Sequence, residues 1–86
     1  MDHSTLTGRQ IAAARALVGL SQADVATRAN ISVPTLKRME ASEGPAAGLA
    51  NNVAAVMRTL EAAGIAFLAE GQAADGGPGV RLAKPD

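Results

Sequence analysis

The first half of the chain carries the same helix-start signal twice in close succession. Thr7 is followed three residues later by Gln10, and Ser21 by Asp24. This is the spacing of a capping box, in which each side chain bonds the other residue's backbone N–H. Gly19 lies between the two signals and can end the first helix in the left-handed conformation. We therefore predict two short helices with a tight turn between them.

A third helix is predicted directly after the second, which should span about 22–29. Asn30 is the non-glycine residue that best tolerates a left-handed turn. Ser32 can cap the third helix, which should end near Ala41. Pro34 fits only in its first turn, where the missing backbone donor has no helical partner to lose. Helical spacing turns Leu36 and Met39 inward and Thr35, Lys37 and Arg38 outward.

The second half of the chain contains the signals of a fourth helix. Residues 42–48 include two glycines and a proline and are predicted to form a loop. Asn51 or Asn52 can cap the helix after it, and Gly64 can end it. The apolar residues of this helix recur at helical spacing and are Val53, Val56, Met57 and Leu60.

Two short apolar runs after the fourth helix are predicted to form a β-hairpin. The strands should cover 65–69 and 79–83, joined by the glycine-rich loop 71–78. An isolated hairpin is marginal in water, so its apolar side chains must pack on helix 4 or on another subunit. Those side chains are Ile65, Phe67, Val80 and Leu82.

Composition excludes several classes of function. The chain has no cysteine, and its one histidine, His3, lies in the segment 1–6 that we expect to be flexible. The lack of cysteine excludes thiol chemistry and a cysteine-ligated metal, and the single histidine disfavours a histidine base. We therefore expect no cofactor and no enzyme activity. With one phenylalanine and no tyrosine or tryptophan, stacking on single-stranded nucleic acid is also disfavoured.

The net charge of zero conceals an uneven distribution. Residues 1–40 carry five basic and three acidic side chains, whereas residues 41–86 carry three basic and five acidic ones. Two charges either way is a weak signal by itself. We expect no secretory or membrane-spanning segment, because the most apolar early run is short and contains Arg15. We expect a cytoplasmic protein.

Four segments of the chain resemble a known family. Leu20–Ala26, Asn30–Ser32, Thr35–Leu36 and Arg38–Glu40 resemble the helix-turn-helix of phage-repressor-like (Cro/C1, or XRE) transcription regulators. The resemblance covers roughly 7–64. It implies a mostly α fold, a lambda-repressor-like helix-turn-helix bundle of about four helices, to which residues 65–86 add the C-terminal β-hairpin.

The resemblance implies a role for individual residues. The recognition helix, about 33–41, would lie in the major groove of double-stranded DNA. Ala26 matches the small residue that lets the second and third helices approach. Arg15 and Glu40 match a partly buried salt bridge between the first and third helices. The positions that match DNA-contacting residues are Gln22, Ser32, Val33, Pro34, Thr35, Lys37 and Arg38.

Side-chain chemistry suggests what each of these residues contacts. Arg38 has the fork geometry to bond guanine O6 and N7 together, and Lys37 suits a base or a phosphate. Gln22, Ser32 and Thr35 suit phosphates, and Val33 and Pro34 suit a thymine methyl group. The alternative for the two cations is an ordinary solvated helix face. Arg9 and Arg28 fit flanking phosphates and ordinary surface charges equally well.

Two departures from the family pattern leave the base assignment open. Asn30 occupies a position where glycine is usual, and Pro34 is uncommon inside the recognition helix. The resemblance implies a small bacterial transcription regulator, associated with the nucleoid when bound to DNA. Because one recognition helix reads only a few base pairs, we also expect a homodimer through the hairpin, and we expect no membrane contact. The alternative function is an antitoxin-like or adaptor module that binds a protein partner through helix 4 and the hairpin.

Overall fold

Helix caps and left-handed turns divide the chain where the sequence predicts. The computed structural model describes residues 1–72 and 74–84. Within these residues lie four α-helices, a short 3₁₀ turn at His3–Thr5 and one two-stranded antiparallel sheet. The elements are α1 (Gly8–Val18), α2 (Gln22–Ala29), α3 (Val33–Glu40), α4 (Ala50–Ala62), β1 (Ile65–Leu68) and β2 (Gly79–Leu82).

Both predicted capping boxes are present. The Thr7 side chain accepts the Gln10 backbone N–H, and the Gln10 side chain accepts the Thr7 backbone N–H. Ser21 and Asp24 bond each other in the same way at the start of α2. The Ser21 backbone N–H bonds the charged carboxylate and therefore lowers the pKa of Asp24. Gly19 ends α1 in the left-handed conformation with φ 69°.

The turn between α2 and α3 also follows the prediction. Asn30 ends α2 in the left-handed conformation with φ 58°. The Ser32 side chain accepts the Thr35 backbone N–H and caps α3. Pro34 lies in the first turn, where its lack of an N–H leaves no helical bond unmade. A short second and third helix joined by this turn is the helix-turn-helix geometry.

The predicted cap of α4 is wrong. The helix starts at Ala50, so that Asn51 and Asn52 lie inside its first turn, and no side chain caps it. The carbonyl of Leu49 instead accepts the backbone N–H groups of Asn52 and Val53. Burial of the apolar face of α4 fixes this helix, so a side-chain cap is not needed to start it.

One apolar core joins the four helices and the hairpin. Leu36 and Met39 of α3 are fully buried in it. Leu6 is also fully buried, next to the 3₁₀ turn that Asp2 caps, so the segment expected to be flexible contributes to the core. The buried apolar residues are Leu6, Ile11, Ala14, Val25, Ala26, Ala29, Leu36, Met39, Val53, Val56, Met57, Leu60, Ile65 and Phe67.

The start of α1 lies unusually close to the end of α3. A Cβ atom on Gly8 would stand 2.3 Å from the carbonyl oxygen of Met39 and 2.8 Å from that of Ser42. The Gly8 N–H donates to the carbonyl of Gly44 at 3.2 Å. Only a residue without a side chain fits this contact, so Gly8 fixes the distance between the two helices.

The hairpin packs against α1 as well as α4, and each strand is one residue shorter than predicted. Ile65 and Phe67 are buried, whereas Leu82, the partner of Ile65 across the sheet, is 56% exposed. The amide of Gln10 is buried and donates to the carbonyl oxygens of Leu68 at 3.0 Å and Gly79 at 2.9 Å. The side chain that completes the cap of α1 therefore also holds both strands.

Candidate nucleic-acid interface

Helix α3 has one buried and one exposed face. Leu36 and Met39 point into the core, and Pro34, Lys37 and Arg38 are exposed. Each residue of an α-helix turns by about 100°, so Pro34 and Arg38, four residues apart, lie side by side. These two side chains form the centre of the exposed face, opposite the buried pair.

The other predicted contact residues of α3 lie at the edges of this face. Thr35 lies on one side of Arg38 and Lys37 on the other, as helical geometry requires. Among the described residues, no hydrogen bond or ion pair is formed by the Lys37 side chain. Val33 is half-buried and packs against the core, so only part of its side chain faces solvent.

The side chain that caps α3 and two side chains of the helix form a line of hydrogen bonds, here called the hydroxyl ladder: Ser32, Thr35 and Arg38. The hydroxyl oxygens of Ser32 and Thr35 are 2.8 Å apart. Arg38 donates from Nη2 to Oγ1 of Thr35 at 3.3 Å. Residues three apart lie on the same side of a helix, so the ladder runs from the cap of α3 along one edge of its exposed face, where Thr35 is half-buried. The sequence identifies all three residues as candidates for DNA contact, but it does not indicate that they contact one another.

A bidentate ion pair fixes α3 against α1. Arg15 donates from Nε to Oε2 of Glu40 at 2.7 Å and from Nη2 to Oε1 at 2.8 Å. Its Nη1 donates to the carbonyl of Leu20 at 3.1 Å. The Glu40 side chain is 8% exposed and that of Arg15 21%. Hydrogen bonding to Glu40 raises the pKa of Arg15. The salt bridge that the family resemblance implies is present.

Gln22 is connected to the same ion pair. Its Nε2 donates to Oε1 of Glu40 at 3.2 Å, a contact that the sequence analysis did not predict. One amide N–H of Gln22 remains for a phosphate oxygen, which can only accept. The first residue of α2 and the last residue of α3 are thus joined through one carboxylate.

Exposed charge on α2 and α3 is mainly positive. Arg28, Lys37 and Arg38 are exposed cations, Asp24 is the exposed acid, and Glu40 is neutralised by Arg15. Three cations against one carboxylate suit a polyanion, although the chain as a whole is neutral. Arg9 instead lines a groove of about 300 Å³ with Glu43 and β2, beside the hairpin.

The comparison with known families agrees with this geometry. The sequence model of the Helix-turn-helix family HTH_3 matches residues 11–59, which include α2 and α3. The chain belongs to this family. HTH_3 is the Cro/C1-type, or XRE, family of DNA-binding transcription regulators, and the predicted family and fold class are confirmed.

Two further findings concern the relatives of this HTH_3 protein and its helices. A search of curated proteins finds no match to the chain. In residues 1–72 and 74–84, no helix is both long enough and apolar enough to cross a bilayer.

Proposed function

We propose that this HTH_3 protein recognises a specific sequence in double-stranded DNA and regulates transcription in a bacterium by occupying that site. The observation that carries the proposal is the exposed face of α3. It presents Pro34, Lys37 and Arg38 to solvent while Leu36 and Met39 anchor the opposite face. A helix of this kind reads base edges when it lies in the major groove.

The residues at the interface have complementary roles in the proposal. Arg38 bonds guanine O6 and N7, and Pro34 beside it packs on a thymine methyl group. Lys37 at the edge bonds a phosphate or a base. Gln22, Ser32 and the exposed part of Val33 complete the contact, with the first two on phosphates. The network of Arg15, Glu40 and Gln22 supports these roles because it holds α3 rigidly.

Alanine substitution tests the two cations. Arg38→Ala is expected to weaken binding to the selected site about ten- to a hundredfold, because one bidentate base contact contributes roughly 1–3 kcal/mol of discrimination. If Lys37 bonds a phosphate, Lys37→Ala lowers affinity for all sequences alike and reduces the salt slope by about 1. Sites are first selected from random duplex DNA, and affinity is then measured by fluorescence anisotropy at several salt concentrations.

The exposed arginine of α4, Arg58, provides the matched control. Arg58→Ala should leave DNA binding unchanged, and all three variants should keep the melting temperature of the parent protein. A large loss of melting temperature in Arg38→Ala would contradict its assignment to an exposed face. Failure of the parent protein to bind any duplex at low salt would favour the alternative, a module that binds a protein partner through α4 and the hairpin.

A homodimer is part of the proposal, and the hairpin supports it. One recognition helix reads only a few base pairs, whereas two helices about 34 Å apart read a palindrome. Leu82 of β2 is 56% exposed although it shares a hairpin face with Ile65 and Phe67, which are buried, and with Val80, which is half-buried. A second copy that covers Leu82 would complete the burial of this face.

An aspartate at position 82 tests the dimer. Leu82→Asp is expected to abolish self-association at tens of micromolar without unfolding the protein. In a dimer contact the aspartate would lose its hydration at a large cost in free energy, whereas on the surface of the monomer it stays hydrated. Sedimentation velocity measures the association and circular dichroism the fold. Leu49→Asp, at a leucine that is 68% exposed but outside the hairpin, is the control and should associate normally. A parent protein that stays monomeric would contradict the dimer.

A further inference from the structure

We propose that Thr35 is a positioning residue, whose hydroxyl fixes the direction from which Arg38 approaches its base. The inference rests on the proposed function, since it assigns Arg38 a held conformation within the same interface. It replaces the sequence-based expectation that Thr35 bonds a phosphate. Its basis is the hydroxyl ladder, in which Thr35 lies between Ser32 and Arg38.

The donors of Arg38 are sufficient for both tasks. A guanidinium group carries five N–H donors, and the bond to Thr35 at 3.3 Å occupies one of them. Bidentate recognition of guanine O6 and N7 needs two more. The bond to Thr35 therefore does not compete with a base. An arginine held before binding also loses less side-chain freedom when the complex forms, so the restraint favours the matched site.

The Thr35 hydroxyl is bonded on both sides within the ladder. Its oxygen accepts an N–H of Arg38, and it shares a hydrogen bond of 2.8 Å with Oγ of Ser32 in which either hydroxyl can donate. Ser32 also accepts the Thr35 backbone N–H. The hydroxyl that bonds Arg38 is therefore itself held from the start of the helix, which restrains the direction of the guanidinium group.

The chemistry of the ladder determines the variant to make. Thr35→Val removes the hydroxyl, keeps the shape of the side chain, and retains the backbone N–H that Ser32 caps. Thr35→Ser keeps the hydroxyl and removes the methyl group. Thr27→Val makes the same change at an exposed threonine of α2 outside the ladder, and is the matched control.

The experiment measures how strongly the full chain distinguishes two versions of its selected duplex. In the second version, 7-deazaguanine replaces each guanine in turn, which exchanges the N7 acceptor for a C–H group and keeps O6. The guanine that Arg38 contacts is the one at which Arg38→Ala abolishes the difference between the two duplexes. The measured quantity is the dissociation constant of the duplex with 7-deazaguanine at that position divided by the dissociation constant of the unmodified duplex. Thr35→Val is expected to lower this ratio about three- to tenfold, the size of one hydrogen bond. Thr35→Ser should have the same ratio as the parent protein, because it keeps the hydroxyl. Thr27→Val should also leave the ratio unchanged.

Two results would overturn the positioning role while leaving the proposed function intact. The first is an unchanged ratio in Thr35→Val. The second is an equal loss of affinity for both duplexes, which identifies a direct contact of the Thr35 hydroxyl with the DNA backbone. If Arg38→Ala keeps the preference of the parent protein for its site, or if the parent protein prefers no sequence, the proposed function fails and the role of Thr35 fails with it.

Discussion

Replacing Arg15 by alanine is expected to lower the free energy of unfolding by about 3 kcal/mol. Removing one partner of a buried ion pair costs roughly 3–5 kcal/mol, because the other charge is left without compensation. The value expected here is at the lower end, since the Arg15 side chain is 21% exposed and its carboxylate partner 8%. The melting temperature should fall by roughly 10–20 °C in a domain of this size.

The damage should spread beyond the pair itself. Without Arg15, the carboxylate of Glu40 keeps only the 3.2 Å bond from Gln22, and the carbonyl of Leu20 loses its Nη1 donor. The junction of α1, the turn before α2 and the end of α3 is therefore weakened at once. Urea denaturation monitored by circular dichroism measures the loss.

Two variants distinguish the ion pair from a general effect of losing an arginine. Arg58→Ala removes an exposed arginine of α4 and should change the free energy of unfolding by no more than about 0.5 kcal/mol. Arg15→Met with Glu40→Leu removes both charges and should recover part of the loss, because no unpaired charge remains in the core. If Arg15→Ala were no more destabilising than Arg58→Ala, the ion pair would contribute nothing to the fold.

Gly8→Ala is expected to destabilise the protein by about 2 kcal/mol, against the intrinsic preference of helices for alanine. Alanine favours a helix over glycine by roughly 1 kcal/mol, so propensity alone predicts a gain. The new Cβ would lie 2.3 Å from the carbonyl oxygen of Met39, and that backbone atom has to move. Overpacking of this kind costs roughly 1–3 kcal/mol, occasionally more, which outweighs the gain in propensity.

The neighbouring loop offers a control for this substitution. A Cβ on Gly44 meets nothing within 4 Å, so Gly44→Ala should be close to neutral. Thermal unfolding of the two variants side by side measures the difference. A stabilised Gly8→Ala would mean that the ends of α1 and α3 separate at little cost, and that the close approach is not a constraint.

The elements that local chemistry decides could be predicted from the sequence. The boxes at Thr7 and Ser21, the left-handed Gly19 and Asn30, and the first-turn position of Pro34 each depend on residues a few positions apart. Such signals need no knowledge of the rest of the fold. They predict α1 to α3 to within a residue of their bounds in the structure.

The features that the sequence did not predict depend on contacts between distant segments. In the sequence Gly8 is an ordinary residue of a first helical turn, and only the fold shows that the carbonyl of Met39 leaves no room for a side chain there. Leu49 occupies the cap position of α4 because the core fixes that helix, although Asn52 is the better cap by residue type. At the candidate interface, the sequence identifies the residue types of α3, while the tie between Gln22 and Glu40 requires coordinates.

Gln10 has a consequence for the order in which the protein folds. Its amide nitrogen bonds carbonyl groups 58 and 69 residues further along the chain. Contacts between residues so far apart in sequence form late in folding, because closing the long loop costs conformational entropy before the new hydrogen bonds can stabilise it. The hairpin should therefore dock after the helices have assembled, and Gln10 makes that last step cooperative with the start of α1. The buried side-chain amide protons of Gln10 should exchange with solvent only when the hairpin separates from α1. Their exchange rate therefore measures how often the contact between the hairpin and α1 opens.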